Sequence, residues 1–211
     1  MQIIRADTII SWERFYRSNL VNSLTGVKSA NLIGTISPQG IPNLALFSSV
    51  FHLGSDPALI GYINRPRAAA PHTLANIESS GVYTINHVHP GILAQAHQTS
   101  AKYPAGDSEF AATGLTPQML PDISAPFVQE SDIKFALSLQ EILPIRLNGT
   151  FLVIGKLECI ILEKPVMAAD GLLAIDQCGS LAVNGSGQYY QVQPLASFAY
   201  ARPHAKTQPH D

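Results

Sequence analysis

The amino-acid sequence predicts a mainly β fold, a β-barrel with a few short inserted helices. Six or more strand-like runs recur at short spacing with turn residues between them. The helix-like segments are too few and too short to cover both faces of a parallel sheet. Neither strand–helix alternation nor an internal repeat is visible. The 211 residues suffice for one well-packed domain, expected over 1–200, with a polar, Pro-containing tail at 201–211 expected to be disordered.

Residues 11–24 predict a helix, with Ser11 as cap and Trp12, Phe15, Tyr16 and Leu20 near a 3.6-residue period. Leu32 to Ile36 predicts a short strand, and Ser37-Pro38-Gln39-Gly40 is turn chemistry. A longer strand from about Asn43 to Leu53 completes a hairpin. Gly54-Ser55-Asp56-Pro57 interrupts it, and Ala58 to Ile63 predicts a third strand. Thr73 to Ser80 reads as a helix capped by Thr73 and ended at Gly81. Val82 to Val88 predicts a strand, and Pro90 suits the first turn of a helix through about Gln98. Tyr103 to Ala125, rich in Pro, Gly and Asp, predicts a loop with one helical turn near Glu109–Ala112. Strands return at about 134–143 and 150–163.

Only 13% of residues are charged and the mean hydropathy is +0.13, which favours an oligomer that buries apolar surface between copies. A net charge of −2 argues against a nucleic-acid footprint and against attachment to an anionic membrane. No apolar run approaches the roughly 20 residues of a membrane-spanning helix. The N-terminus lacks the apolar core of a signal peptide. Cys159 and Cys178 suit neither a disulfide framework nor a zinc or redox pair. A reducing, cytoplasmic setting is the expectation.

Candidate binding residues cluster between Ser48 and Tyr103. Ser48 and Ser49 are consecutive in an apolar strand, so one hydroxyl falls on each face; each can bond a ligand or a local carbonyl. In Asn64-Arg65-Pro66-Arg67 the proline stiffens the turn, so that Asn64 and Arg65 are expected to be presented, and arginine suits phosphate. Two arginines at a turn are more often solvated than ligand-bound. Thr99, Ser100 and Lys102 end a predicted helix, where they either close an anion pocket or simply suit the helix C-terminus. His87 and His89 share a strand face, but Leu93 and Ala94 stand where a cupin-like site needs an acidic residue, so no metal is expected. No GxSxG, GxxxxGKS or GxGxxG pattern occurs, so a nucleotide here binds in neither Rossmann nor P-loop fashion.

Eight ordered segments carry a resemblance: Phe47-Ser48-Ser49, Ser55-Asp56-Pro57-Ala58, Asn64-Arg65-Pro66-Arg67, Thr73-Leu74-Ala75-Asn76-Ile77, Ile85-Asn86, Gln98-Thr99-Ser100, Asp107-Ser108-Glu109-Phe110 and Gly114-Leu115-Thr116-Pro117. Together with Val153-Ile154-Gly155-Lys156-Leu157, they resemble the flavin reductase-like family, whose fold is the FMN-binding split β-barrel. The resemblance covers roughly Leu32 to Leu195. It implies non-covalent FMN, a homodimer with the flavin at its interface, NADH or NADPH as electron donor, and a partner monooxygenase or other acceptor. It implies that Ser48, Ser49 and Val50 approach the flavin ring. Asn64, Arg65 and Arg67 would hold the phosphate and ribityl chain, and Thr99, Ser100 and Lys102 would close on it, with Thr73 and His97 as further candidates. The expected function is an FMN-binding NAD(P)H:flavin oxidoreductase that moves a hydride to flavin N5 without a protein nucleophile. The alternative is a non-catalytic FMN-binding electron carrier reduced by a partner.

Overall fold

The computed structural model describes residues 1–104, 106–203 and 209–210. The expected single helix over 11–24 is instead two, α1 (Ala6–Ser11) and α2 (Arg14–Ser23). The Ser11 hydroxyl donates back to Thr8 O at 2.7 Å and closes α1. The Glu13 carboxylate then accepts the Phe15 and Tyr16 amides at 2.8 and 3.0 Å and starts α2. A charged acceptor outcompetes a hydroxyl already turned to its own helix. Neither helix contains a buried residue.

After β1 (Lys28–Ser29) come β2 (Asn31–Ile36) and β3 (Pro42–Phe47), an antiparallel hairpin turned at Gly40, which takes the left-handed φ of +79°. The single strand expected from Asn43 to Leu53 breaks at Ser48–Ser49, and β4 (Val50–Ser55) starts anew and pairs with β5 (Ala58–Asn64). Helix α3 (Pro71–Ser80) begins at a proline rather than at the expected Thr73 cap, and Ala70 precedes it without a capping side chain. Its end at Gly81, with φ of +71°, is as expected. β6 (Val82–His87), a 3₁₀ turn at Pro90–Ile92, α4 (Leu93–Gln98) and α5 (Glu109–Thr113) follow. The expected loop from Tyr103 to Ala125 also holds a hairpin, β7 (Pro117–Leu120) with the first half of β8 (Ile123–Val128). Its three prolines hid it: Pro117 begins a strand, Pro121 lies in the turn, and the Pro126 carbonyl accepts from Thr84 Oγ1 at 2.6 Å. The long strands β9 (Ile133–Ile145) and β10 (Thr150–Leu162) pair over their whole length.

Seven strands form one antiparallel sheet in the order β3-β2-β6-β9-β10-β5-β4. Its two edge strands, β3 and β4, are consecutive in sequence and separated by Ser48 and Ser49 alone. Three trans peptide steps span at most about 11 Å, so the sheet must curl until its edges nearly meet. That is a barrel left open along one seam.

β2 shows how the curled sheet is filled. Leu32 faces one apolar cluster, with Leu44, Val88, Ile92, Ala96 and Phe110. Its neighbour Ile33 faces the other, with Tyr62, Leu74, Ile77, Tyr83, Ile85, Leu137 and Val153. The period of two thus serves two cores, one under α4 and α5 and one against α3. Gly155 is required by close approach: a Cβ there would lie 2.3 Å from the Tyr83 hydroxyl oxygen and 2.9 Å from Leu137 Cβ. Beyond β10, β11 (Leu181–Asn184) and β12 (Gln188–Gln191) form a small sheet with β1. β13 (Ser197–Phe198) pairs with β14 (Pro209–His210). Of the tail expected to be disordered, residues 204–208 and 211 lie outside the described residues.

Candidate functional site

The seam places chemistry-bearing residues around one cavity of about 490 Å³. Small-molecule and cofactor sites run roughly 300–1,000 Å³. Its apolar wall includes Leu46, Phe47, Ile63 and Ala68 to Ala70. Ser48 and Ser49 come from the β3–β4 link, Arg65 from the end of β5, Thr73 from α3, and Thr99, Ser100 and Lys102 from the end of α4. Seven of the candidates named from sequence therefore meet at one surface, although up to 54 residues separate them.

The two serines differ. Ser49 Oγ donates to Ile63 O at 2.9 Å, and Ile63 N donates to Ser49 O at 3.3 Å, which stitches the link to β5. Among the described residues the Ser48 hydroxyl has no hydrogen-bond partner. Ser48 is thus the hydroxyl available to a ligand, and Ser49 positions it.

The hydroxyls of Thr99 and Ser100 donate to the α4 carbonyls of Ala96 and His97 at 2.8 and 2.7 Å. Their protons are spent there, so an anion would have to turn them away or use the cations instead. Arg65 and Lys102 are exposed and, among the described residues, carry no ion pair. Thr73 is buried and its Oγ1 accepts from Asn43 Nδ2 at 3.4 Å.

Four candidates lie outside this wall. Asn64 is not presented by its turn but belongs to β5, paired opposite Phe151 and fully buried. Its Nδ2 donates to Arg65 O at 2.7 Å, while its Oδ1 has no partner among the described residues. A side chain that ties the strand end down in this way orients Arg65 from behind. Arg67 is taken by a bidentate pair with Glu78, one bond being 2.7 Å, and lies 5.0 Å over the Phe151 ring. Val50 packs on the core cluster that contains Ile33. His97 Nδ1 bonds the Tyr189 hydroxyl at 2.8 Å in a separate concavity with Pro90, Leu93, Ala94 and Gly187.

Several wall residues escaped the sequence reading: Asn22, Thr25, Lys28, Asn43, His72 and Glu109. Lys28 Nζ donates to Asn22 O, Thr25 Oγ1 and Gly26 O at 2.9 to 3.1 Å, which fixes the end of α2 at the rim. Glu109 Oε2 accepts the Leu44 amide at 3.0 Å. Burial pushes this carboxyl above the usual carboxylate range, against the opposing pull of the Leu44 amide, its own amide and His72. The one signal for it was its place in the Asp107-Ser108-Glu109-Phe110 segment.

Among the described residues no group of three or more His, Cys, Asp or Glu gathers as a metal site. His87 Nδ1 bonds Ser180 Oγ at 2.9 Å, and His89 Nε2 bonds Glu130 O at 2.9 Å. No described helix is long and apolar enough to cross a membrane.

Comparison with known proteins gives these features a family. A solved structure from Shewanella frigidimarina NCIMB 400, described as a flavin reductase with a split barrel domain, is 43% identical, with a TM-score of 0.92 over 95% of this chain and 100% of that one. Component B of nitrilotriacetate monooxygenase from Bacillus cereus matches at a TM-score of 0.81 and 18% identity, over 92% and 97% of the two chains, and so shares the fold. An uncharacterized protein of Aquifex aeolicus (strain VF5) is 27% identical over 128 residues, 60% of this chain; the match spans 65% of that relative's length. The model of the flavin reductase like domain matches residues 27–177, which include all seven cavity-lining candidates named from sequence but not Asn22 and Thr25 of the wall. With its mainly β split barrel and this match over most of its length, the chain belongs to the flavin reductase like domain family of flavin-related oxidoreductases.

Proposed function

We propose that this protein is an FMN-binding NAD(P)H:flavin oxidoreductase, with FMN held in the seam cavity. The observation that carries this is the convergence of Ser48, Arg65, Thr99, Ser100 and Lys102 on one cavity of fitting size in a chain of this family. The donor set suits the group: two cations for a phosphate and a hydroxyl, all three without a side-chain partner among the described residues, and an apolar wall for a planar ring.

Arg65 and Lys102 hold the phosphate, and buried Asn64 keeps the Arg65 backbone in place. Ser48 donates to a polar edge of the ring, with Ser49 anchoring the link that presents it. Leu46, Phe47 and Ile63 exclude water from the ring's apolar part. When bound, FMN supplies two-electron hydride chemistry, so the protein needs no nucleophile and contributes orientation and desolvation. Arg67, Val50 and His97 act through packing rather than contact in this reading. The protein works as a cytoplasmic homodimer and passes electrons to free flavin, a partner monooxygenase or another acceptor; the name of the Bacillus cereus relative is consistent with such a partner.

The test is the absorbance spectrum of the purified protein before and after anaerobic addition of NADH or NADPH. Oxidised-flavin bands that bleach rapidly are expected. Flavin bands unchanged by both donors would remove the reductase and leave the electron carrier; a colourless protein that takes up no FMN would remove both.

A further inference from the structure

Two segments hold their large apolar side chains in solvent, and both flank the family match over residues 27–177. In α2, Tyr16, Leu20, Val21 and Leu24 recur at i, i+4, i+5 and i+8 and so share one stripe of the helix. A stripe of this kind ordinarily faces its own core, yet Tyr16, Val21 and Leu24 are exposed and α2 buries no residue. Asn22, which lines the ligand cavity, stands on the opposite side of the helix. The second segment is an arm that follows β12, residues 192–200, which contains β13 and no helix. Its Leu195 is 100% exposed and its Tyr200 91%, and Phe198 is exposed as well.

We propose that the arm of one copy lies along the α2 stripe of a second copy, in a mutual exchange about a two-fold axis. This inference rests on the proposed homodimer and names the contact that builds it.

The spacing of the two segments agrees. Side chains two residues apart on an extended chain share a face and stand about 6.6 Å apart, which places Phe198 and Tyr200 side by side. Four residues of α-helix rise about 6 Å, so Tyr16, Leu20 and Leu24 form steps of nearly the same length. The two arm rings therefore fall into the gaps between those steps.

The origins of the segments agree too. The arm leaves β12, β12 pairs with β11, and β11 pairs with β1, the strand that follows α2. Arm and helix thus belong to one side of the molecule, and a two-fold axis on that side carries each arm to the other copy's helix. Within one chain they stay apart: the arm turns back through β13 and β14, and both sets of side chains remain in solvent.

The area is sufficient. Counted twice for the two-fold pair, the arm and stripe side chains cover on the order of 1,300 Å², within the roughly 1,200–2,000 Å² of specific interfaces. The exchange also holds α2 in place, and with it the Asn22 side of the cavity rim.

The experiment has two arms, both on the full chain. Phe198→Ser with Tyr200→Ser is expected to raise the dimer dissociation constant at least about tenfold in sedimentation. The melting of the barrel is expected to stay unchanged, because neither side chain packs on its own domain. In the second arm, differently tagged chains are co-expressed on a Cys159→Ser background, one with Leu24→Cys and the other with Phe198→Cys, and treated with a short bismaleimide. A cross-linked product that carries both tags is expected. A dissociation constant unmoved by the serine pair overturns the proposal. So does cross-linking that occurs only inside a single chain given both cysteines, which would seat the arm on its own helix. A wild type that sediments as a monomer at every concentration removes the homodimer itself, and the exchange with it.

Discussion

Arg65 and Arg67 are two residues apart and chemically identical, and the fold gives them opposite fates. Sequence could not separate them, because what distinguishes them is a partner 11 residues away in α3, Glu78, and a ring in β10, Phe151. The Arg67–Glu78 pair is largely exposed, so its loss should cost at most about 1 kcal/mol of stability. Arg67→Ala is therefore expected to retain FMN through dialysis, whereas Arg65→Ala combined with Lys102→Ala is expected to release it; stoichiometric flavin in the double variant would refute the phosphate assignment. His87 gives a pH prediction of a different kind. Burial pushes its imidazole from the ordinary 6.5 down to about 4, so between those values the unfolded chain binds the proton and the native one does not. Stability is then undiminished above about pH 6.5 and falls as pH drops toward 4, by at most about 3 kcal/mol, and by less because the ring keeps some solvent contact. Urea midpoints for the wild type and His87→Gln should diverge in that window; parallel curves would exclude the histidine as the cause.

At the scale of elements, what was legible followed from local rules. The β2–β3 turn at Gly40, the end of α3 at Gly81 and the strands β6, β9 and β10 stand where turn chemistry and apolar patterning put them. What was not legible depended on distant contacts. Asn43 to Leu53 reads locally as one strand despite its Ser48-Ser49 pair, and nothing local says that it leaves one edge of a sheet and joins the other; only the pairing of β4 with β5 and the bond from Ser49 to Ile63 break it. The site was legible in the same uneven way. Ser48 and Lys102 announced themselves by type and order; Glu109 showed only through its place in the Asp107-Ser108-Glu109-Phe110 segment, and Lys28 lines the cavity through tertiary placement alone. Gly155 illustrates how a motif residue acquires its reason. Its β10 position lies against Tyr83 of β6, whose buried hydroxyl has no partner among the described residues. Gly155→Ala should therefore destabilise by roughly 1–3 kcal/mol through overpacking, about 2–4 °C in Tm per kcal/mol. Tyr83→Phe removes the closest atom and an unsatisfied polar group, so it should be nearly neutral alone and soften the alanine defect. Calorimetry of the four proteins of that cycle checks both statements; strictly additive losses would mean that the two side chains do not meet.

For the whole molecule, the N-terminal segment is the part whose stability the single chain does not explain. α1 and α2 have 6 and 10 residues, shorter than the roughly 12–15 at which isolated helices become marginal in water. Neither buries a residue, and Ile10, Phe15, Tyr16, Val21 and Leu24 are all exposed. Helices of this length persist by packing an apolar face, so in the proposed homodimer a second copy is expected to cover these side chains. The low charged fraction of the chain, 13%, points the same way. Because Asn22, Thr25 and Lys28 on the same segment reach the cavity rim, covering the helices also holds one side of the ligand site in place. Sedimentation of the wild type is accordingly expected to give twice the 22.7 kDa chain mass. The pair Phe15→Asp and Val21→Asp should shift it to the monomer, with little change in the melting of the barrel but with weaker FMN retention. A double variant that still sediments as a dimer would place the interface elsewhere, and one that becomes monomeric with undiminished FMN affinity would separate assembly from the site.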